Sequence, residues 1–280
     1  MEVKLYEAMG GLTVRLGRIA VSGKGGCGKS VVTALLAKAF RKRGLKVLVV
    51  DADESNRGLY WMLGFKQLPT PLMELAGGRQ GLKRKMSPET FLVATGKSSV
   101  NILDRDVVSL SELSPPYLVE DDGLKLLLIG KINRFSEGCA CPMGFLSREF
   151  LGKLRLKDDE VVLVDTEAGL EHFGRGVEAN VDSMVIVTEP SLESIRITEE
   201  MSRLAAEAGI KNIYVVLNKV PSENVALKLM EDLGNRGVNV AGFIRYDPEI
   251  FEACLEGKPI HGEKAEEDVE ALVEKMGVKH

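Results

Sequence analysis

One run of residues, Gly23-Lys24-Gly25-Gly26-Cys27-Gly28-Lys29-Ser30, constrains the fold more than any other part of the chain. It follows directly on a short apolar run, Arg18–Ser22, and opens a segment of helical period, Ser30–Arg43, in which Val31, Leu35 and Ala39 share one face and Gly44 supplies the stop. The pattern G-x-x-x-x-G-K-[ST] in a strand–loop–helix setting is a phosphate-binding loop. Glycines let the backbone curl until its N–H groups converge on phosphate oxygens, and the helix N-terminus adds a favourable dipole. Gly23, Lys24, Gly25, Gly26, Cys27, Gly28, Lys29, Ser30 and Val31 are therefore the first nucleotide-binding candidates, with Lys29 expected on the β- and γ-phosphates and the Ser30 hydroxyl on Mg²⁺. Cys27 reads as a small side chain packed under the loop.

The rest of the chain agrees with such a setting. Further strands are expected at Lys46–Val50, Leu126–Gly130, Glu160–Asp165, Ser183–Thr188, Asn212–Leu217 and Asn239–Ile244, with weaker signals at Phe91–Ala94 and Val100–Ile102. Several are nearly continuous apolar runs, as in strands buried on both faces. Helical periods cover Leu192–Ala208, Ser222–Leu233, Asp247–Leu255 and Glu263–Met276; Asp247-Pro248 is an N-cap followed by an N1 proline. The alternation predicts an α/β fold, a doubly wound, mainly parallel sheet with helices on both faces. Residues 18–280 are expected to form a single nucleotide-binding domain, with the proline-containing stretch from about Gln67 to Lys125 as insertions upon it. Residues 1–17 precede the first strand as an N-terminal extension; an added β-hairpin and a loose segment both fit them.

Charge and composition narrow the partners. With 37 Lys and Arg against 41 Asp and Glu, the net charge is −4 and basic residues are spread along the chain, so nothing favours nucleic acid as a partner. No stretch approaches the ~18 uninterrupted apolar residues of a membrane span, and the N-terminal residues, with Glu2 and Glu7, lack the apolar core of a signal peptide. The expectation is a cytoplasmic protein without membrane contact.

Two acidic sites fall at the C-terminal ends of strands, where ligands of doubly wound sheets bind. One is Asp51-Ala52-Asp53. The other is Asp165, followed by Thr166-Glu167-Ala168-Gly169, a Walker B strand with a D-x-x-x-G switch. Asp165 is expected to hold Mg²⁺ through water, Asp51 to support the same shell, and Gly169 to swing its backbone N–H toward the γ-phosphate. Asn218-Lys219-Val220-Pro221 follows another strand and places Asn218 near the purine. A guanine-reading N-K-x-D would need Asp where Pro221 stands, which favours ATP over GTP. The 244–249 segment is a further candidate wrap around the adenine.

Four cysteines are too few for a disulfide-built fold, but two of them, Cys139 and Cys141, form a C-x-C within Glu137–Gly144. In an extended segment their side chains point the same way. A closed thiolate site normally needs four ligands, and a two-fold dimer with two cysteines from each chain is the simplest completion. A local disulfide and two incidental thiols are the competing readings.

The second lysine of the loop, Lys24, makes it a deviant Walker A motif, KGGxGK[ST]. The chain thereby resembles the family that contains MinD, ParA and the nitrogenase iron protein. That resemblance implies that Lys24 reaches a partner's phosphates across a nucleotide-bridged homodimer, and that Asp53, in switch I, positions the attacking water. Together with the C-x-C loop and the run Glu167–Gly176, the chain resembles the CooC-type ATPases, from about Arg18 onward. This implies an ATP-hydrolysing maturation factor with Mg²⁺ at the nucleotide, Ni²⁺ or Zn²⁺ on Cys139 and Cys141, and carbon monoxide dehydrogenase or a related nickel enzyme as client. The alternatives are an Fe–S cluster carrier or an iron-protein-like reductase, whose cysteine spacings differ, and a MinD/ParA-like positioning ATPase, which the acidic final helix disfavours.

Overall fold

The computed structural model describes residues 16–85, 106–131, 141–169 and 180–278. Phe91–Ala94, Val100–Ile102, Cys139 and all but the end of the N-terminal extension lie outside them. In chain order the elements are β1 (Arg18–Gly23), α1 (Lys29–Lys42), β2 (Lys46–Asp51), α2 (Leu59–Met62), α3 (Gly78–Lys85), β3 (Val108–Ser109), β4 (Leu118–Asp121), β5 (Leu124–Leu128), α4 (Cys141–Lys153) and β6 (Leu154–Arg155). They continue with β7 (Glu160–Asp165), β8 (Ser183–Thr188), α5 (Leu192–Glu207), β9 (Asn212–Val220), α6 (Glu223–Asn235), β10 (Val240–Arg245), α7 (Pro248–Glu256) and α8 (Glu263–Lys275).

Among the described residues, eight strands form one sheet in the order β10-β9-β8-β1-β7-β2-β5-β4. Every neighbouring pair is parallel except the β4–β5 hairpin. The expected α/β architecture is therefore present, and its centre reads as the apolar runs suggest. In β2, Val47 and Val49 join the core under α1 and α8, while Leu48 and Val50 join the core under α4. In β7, Val161 and Leu163 face the first of these and Val162 and Val164 the second. Both faces of each central strand are covered, which is why no polar alternation survives in the sequence.

The hairpin is the element the sequence reading passed over. Its two-residue turn has Asp122 at φ 45° and Gly123 at φ 77°, the Asp-Gly pair that a type I′ turn demands. The stretch read as an insertion thus ends in an edge strand of the main sheet. α7 begins as expected: the Asp247 carboxylate accepts from the Glu249 N–H at 3.0 Å, with Pro248 at the first helical position.

Register sets up the site. Asp51 pairs across β2–β7 with Asp165, and β7 lies beside β1, so Gly23, Asp165 and Asp51 end on one rim of the sheet. Among the described residues no helix is long and apolar enough to cross a membrane.

Candidate functional site

The phosphate loop leaves β1 at Gly23 and enters α1 through Gly28, whose φ of 95° is left-handed. A β-carbon on Gly28 would lie 2.3 Å from Asn218 Nδ2, so only glycine fits this position. The first turn of α1 carries no acidic residue and no side-chain cap, which leaves its N–H groups and positive dipole end suited to an anion. Lys29, the first residue of that helix, is buried and raises the positive potential around Asp165 and Cys27. Cys27 is fully buried; burial pushes its thiol up to about 11, so it packs under the loop as an inert group.

Around the loop the structure brings together Ser30, Asp165 and a residue the sequence reading missed, Asn56. Ser30 Oγ donates to Asp165 Oδ2 at 2.6 Å. The Asn56 amide donates to Ser30 Oγ at 2.7 Å and to Asp165 Oδ2 at 3.1 Å. Thr33 adds a long contact to Asp165 Oδ1 at 3.5 Å. Asp165 is completely buried, and burial first, then the charge of Asp53, raises its carboxyl to about 6 against the hydrogen bonds from Ser30 and Asn56 and the charge of Lys29. The hydroxyl of Ser30 and the carboxylate of Asp165 are two hard oxygens side by side at the end of the phosphate loop, a donor set that fits Mg²⁺.

The second carboxylate site centres on Asp51. Its Oδ2 lies 2.7 Å from Lys131 Nζ, and both groups are buried. Burial raises its carboxyl to about 7, with Lys131 opposing and Asp165 and Asp53 reinforcing the rise. Asp51 Oδ1 also accepts the Asp53 N–H at 3.2 Å. Asp51 thus anchors the loop that follows β2. Asp53 Oδ1 accepts from Ser55 N at 2.9 Å, Ser55 Oγ at 2.6 Å and Asn56 N at 3.2 Å, an Asx turn that shapes the same loop.

Switch II lies against the loop. The Gly169 N–H donates to the Gly23 carbonyl at 3.2 Å, with Gly169 at φ 90°. Thr166 Oγ1 is bonded to Val21 O and to Ser22 Oγ, each at 2.9 Å, which pins the strand end behind it. Lys24 Nζ lies 2.8 Å from Glu193 at the start of α5. Lys219 donates to the Gly26 carbonyl and pairs with Glu189 at 3.3 Å.

Asn218 is buried and donates to the Cys27 carbonyl at 2.8 Å, so it holds the phosphate loop to the end of β9. It also lines a cavity of about 190 Å³ with Gly28, Val31, Lys219, Ile244, Tyr246 and Phe251. The walls are mostly apolar and include the Tyr246 and Phe251 rings, 6.4 Å apart. Residues 244–247 of the 244–249 segment line this cavity.

Of the C-x-C pair, Cys139 lies outside the described residues. Cys141 opens α4 with Pro142 behind it, so the backbone is already helical at the second cysteine rather than extended. Lys131 and Asn56 carried no motif. The one signal for Lys131 was a lysine at the end of an apolar strand, on the rim that also bears two aspartates.

The family model for the CobQ/CobB/MinD/ParA nucleotide binding domain matches residues 19–260. An uncharacterized ATP-binding protein of Methanocaldococcus jannaschii, MJ0084, is 44% identical over 249 residues, 89% of this chain and 96% of that protein. The carbon monoxide dehydrogenase accessory protein CooC of Rhodospirillum rubrum is 34% identical over 266 residues, 93% of this chain and 97% of CooC. Among solved structures, the cell division ATPase MinD of Pyrococcus furiosus superimposes with a TM-score of 0.66 at 23% identity, covering 93% of this chain and 98% of MinD. MinD of Pyrococcus horikoshii, solved with Mg-ADP, gives 0.63 at 23% identity, covering 93% and 95%. At that identity the likeness shows the fold.

Proposed function

The chain belongs to the CobQ/CobB/MinD/ParA nucleotide-binding family, and on that premise we propose that it is an ATP-hydrolysing metal-insertion factor: a nucleotide-bridged homodimer that carries Ni²⁺ or Zn²⁺ as cargo on its C-x-C motif and serves a carbon monoxide dehydrogenase or a related nickel enzyme. The observation that carries this reading is Cys139-Ala140-Cys141 in a chain 34% identical to CooC over 93% of its length.

Residues 18–280 act as one ATPase unit. The N–H groups of Gly25 to Ser30 and the Lys29 ammonium hold the β- and γ-phosphates. Ser30 and Asp165 hold Mg²⁺, which supplies charge neutralisation at those phosphates when bound. Asp53 orients the attacking water, and Asp51, held by Lys131, fixes the loop on which Asp53 sits. Asn218 and Lys219 border the base cavity. Lys24 leaves Glu193 to reach the partner's phosphates, and Gly169 exchanges Gly23 for the γ-phosphate. Cys139 and Cys141 of each chain give four thiolates on the two-fold axis, a donor set suited to Zn²⁺ and, in a square-planar array, Ni²⁺.

Size-exclusion chromatography with metal analysis, with and without ATP and in the presence of Ni²⁺, tests the proposal. One metal per dimer is expected, and Cys139→Ser with Cys141→Ser should abolish it while nucleotide binding stays. A metal-free monomer under every condition sinks the reading.

A further inference from the structure

We propose that Lys131 is a positioning residue that couples the carboxylate loop after β2 to the N-terminus of α4, the helix that Cys141 opens. The inference rests, for its meaning, on the reading of the C-x-C pair as metal ligands; its physical content is the connection itself.

Lys131 stands just beyond β5, and β5 runs beside β2 with Leu128 opposite Asp51. The Ile129 N–H donates to the Asp51 carbonyl at 3.0 Å, so the chain is fixed to β2 until two residues before the lysine. Lys131 then reaches back. Its ammonium bonds Asp51 Oδ2 at 2.7 Å and the Asp53 carbonyl at 2.5 Å, with only 5% of the residue exposed. One buried cation thus grips both the anchor of the loop and the backbone of the residue assigned to the attacking water. Two buried ions cost desolvation, and a well-packed apolar pair in their place is often no less stable. Stability alone therefore gives little reason for the pair, whereas fixing two segments in one register does.

The other end of the connection is steric. Gly130, next to Lys131, is clamped between two thioethers: a β-carbon there would lie 2.3 Å from Met143 Sδ and 2.8 Å from Met73 Sδ. Met143 is in the first turn of α4, two residues after Cys141, and is 2% exposed. Further along that helix, Leu146, Phe150 and Leu151 lock it against Leu48, Val50, Val162 and Val164 of the sheet. A shift of the Asp53 loop pulls on Lys131, moves Gly130 against Met143, and tilts the start of α4. Close-packed groups of this kind transmit displacement because no void absorbs it.

The test uses the full chain carrying Asp51→Asn with Lys131→Met, which removes both charges together and leaves neither buried ion alone. Thermal unfolding and Mg-ADP binding establish that the variant is folded and loaded. The readout is the rate at which N-ethylmaleimide alkylates Cys141, followed by mass spectrometry of its own peptide, with no nucleotide, with ADP and with a non-hydrolysable ATP analogue. In the wild type, nucleotide is expected to change this rate by at least about fivefold, the low end of ordinary coupling between sites. In the double variant the change should fall below about twofold although nucleotide still binds. Gly130→Ala, whose added methyl presses on the Met143 and Met73 side chains and on neither ion, should likewise at least halve the response. A loaded variant that keeps the wild-type response, or a wild type whose Cys141 ignores nucleotide, overturns the proposal. Metal analysis of the cysteine-to-serine protein separates the two ideas. If that protein retains its metal while the alkylation response depends on Lys131, the metal reading fails and the coupling stands.

Discussion

The Asn56 amide nitrogen lies 3.1 Å from the Asp165 carboxylate and 2.7 Å from the Ser30 hydroxyl, which are themselves 2.6 Å apart. The loop after β2 is therefore tied to the phosphate loop by a donor that, on the proposed function, would compete with Mg²⁺. Asn56→Ala should lower stability without nucleotide by about 1–2 kcal/mol, since it removes hydrogen bonds that include one to a charged group. With saturating Mg-ADP the difference from wild type should vanish, because the amide is displaced there anyway. Thermal melts with and without Mg-ADP check this; an equal loss under both conditions would contradict it.

Lys29 opens α1 at the point where the loop's N–H groups converge. Replacing it with alanine removes a charge-assisted hydrogen bond to phosphate of about 1.5–3 kcal/mol. Lys29→Ala should therefore weaken ATP binding by roughly 10- to 150-fold. Calorimetric titration with ATP measures it directly, and an affinity within twofold of wild type would remove Lys29 from the phosphate site.

Lys24 is held by Glu193 through an ion pair in which Glu193 is largely exposed. Such a contact is weak, so the lysine leaves it readily. Lys24→Ala is expected to bind Mg-ADP nearly as wild type but to lose ATP-dependent dimerisation. Glu193→Ala should leave the melting temperature unchanged and bring dimerisation on at lower protein concentration. Light scattering across a dilution series distinguishes these outcomes from a Lys24 with no role between chains.

Asp165 and Asp51 give the protein an unusual pH dependence. Both carboxyls are raised by burial, to about 6 and about 7, from an ordinary value of 3.8. The folded chain therefore holds more protons than the unfolded one across that window, and their contribution to stability falls as pH rises through it. Urea unfolding at about pH 5 and about pH 7.5 should show Asp165→Asn losing less stability over the interval than wild type. Mg²⁺-dependent nucleotide affinity should run the other way, rising with pH as Asp165 ionises. A wild-type slope identical to that of the variant would refute the assignment.

Much of this was legible in the sequence. The central strands announced themselves because burial on both faces strips out polar residues, as in Val161-Val162-Leu163-Val164 before Asp165. The phosphate loop was legible because its glycines answer to backbone geometry, which leaves a fixed spacing. The β4 strand was harder: half its residues are exposed, and its Asp-Gly turn lay in a stretch crowded with prolines. Asn56 and Lys131 left no trace of period or motif. Their roles arise from strands distant in sequence ending side by side, with Asp51 opposite both Asp165 and Leu128. The partner of Asp51 was hidden for the same reason: spacing showed a carboxylate on the rim, while the lysine that pairs with it came from another strand.

If Gly169 binds the γ-phosphate as proposed, its hydrogen bond to the Gly23 carbonyl makes nucleotide recognition an exchange of partners. The Gly169 N–H is engaged by Gly23, the Asn218 amide by Cys27, the Lys24 ammonium by Glu193 and the Ser30 hydroxyl by Asp165. A ligand adds to affinity only by the margin between the bonds it offers and those it breaks. On the proposed function that margin is a filter: a nucleotide without its third phosphate would leave Gly169 with Gly23, and ATP would be told from ADP by which of the chain's own contacts survive.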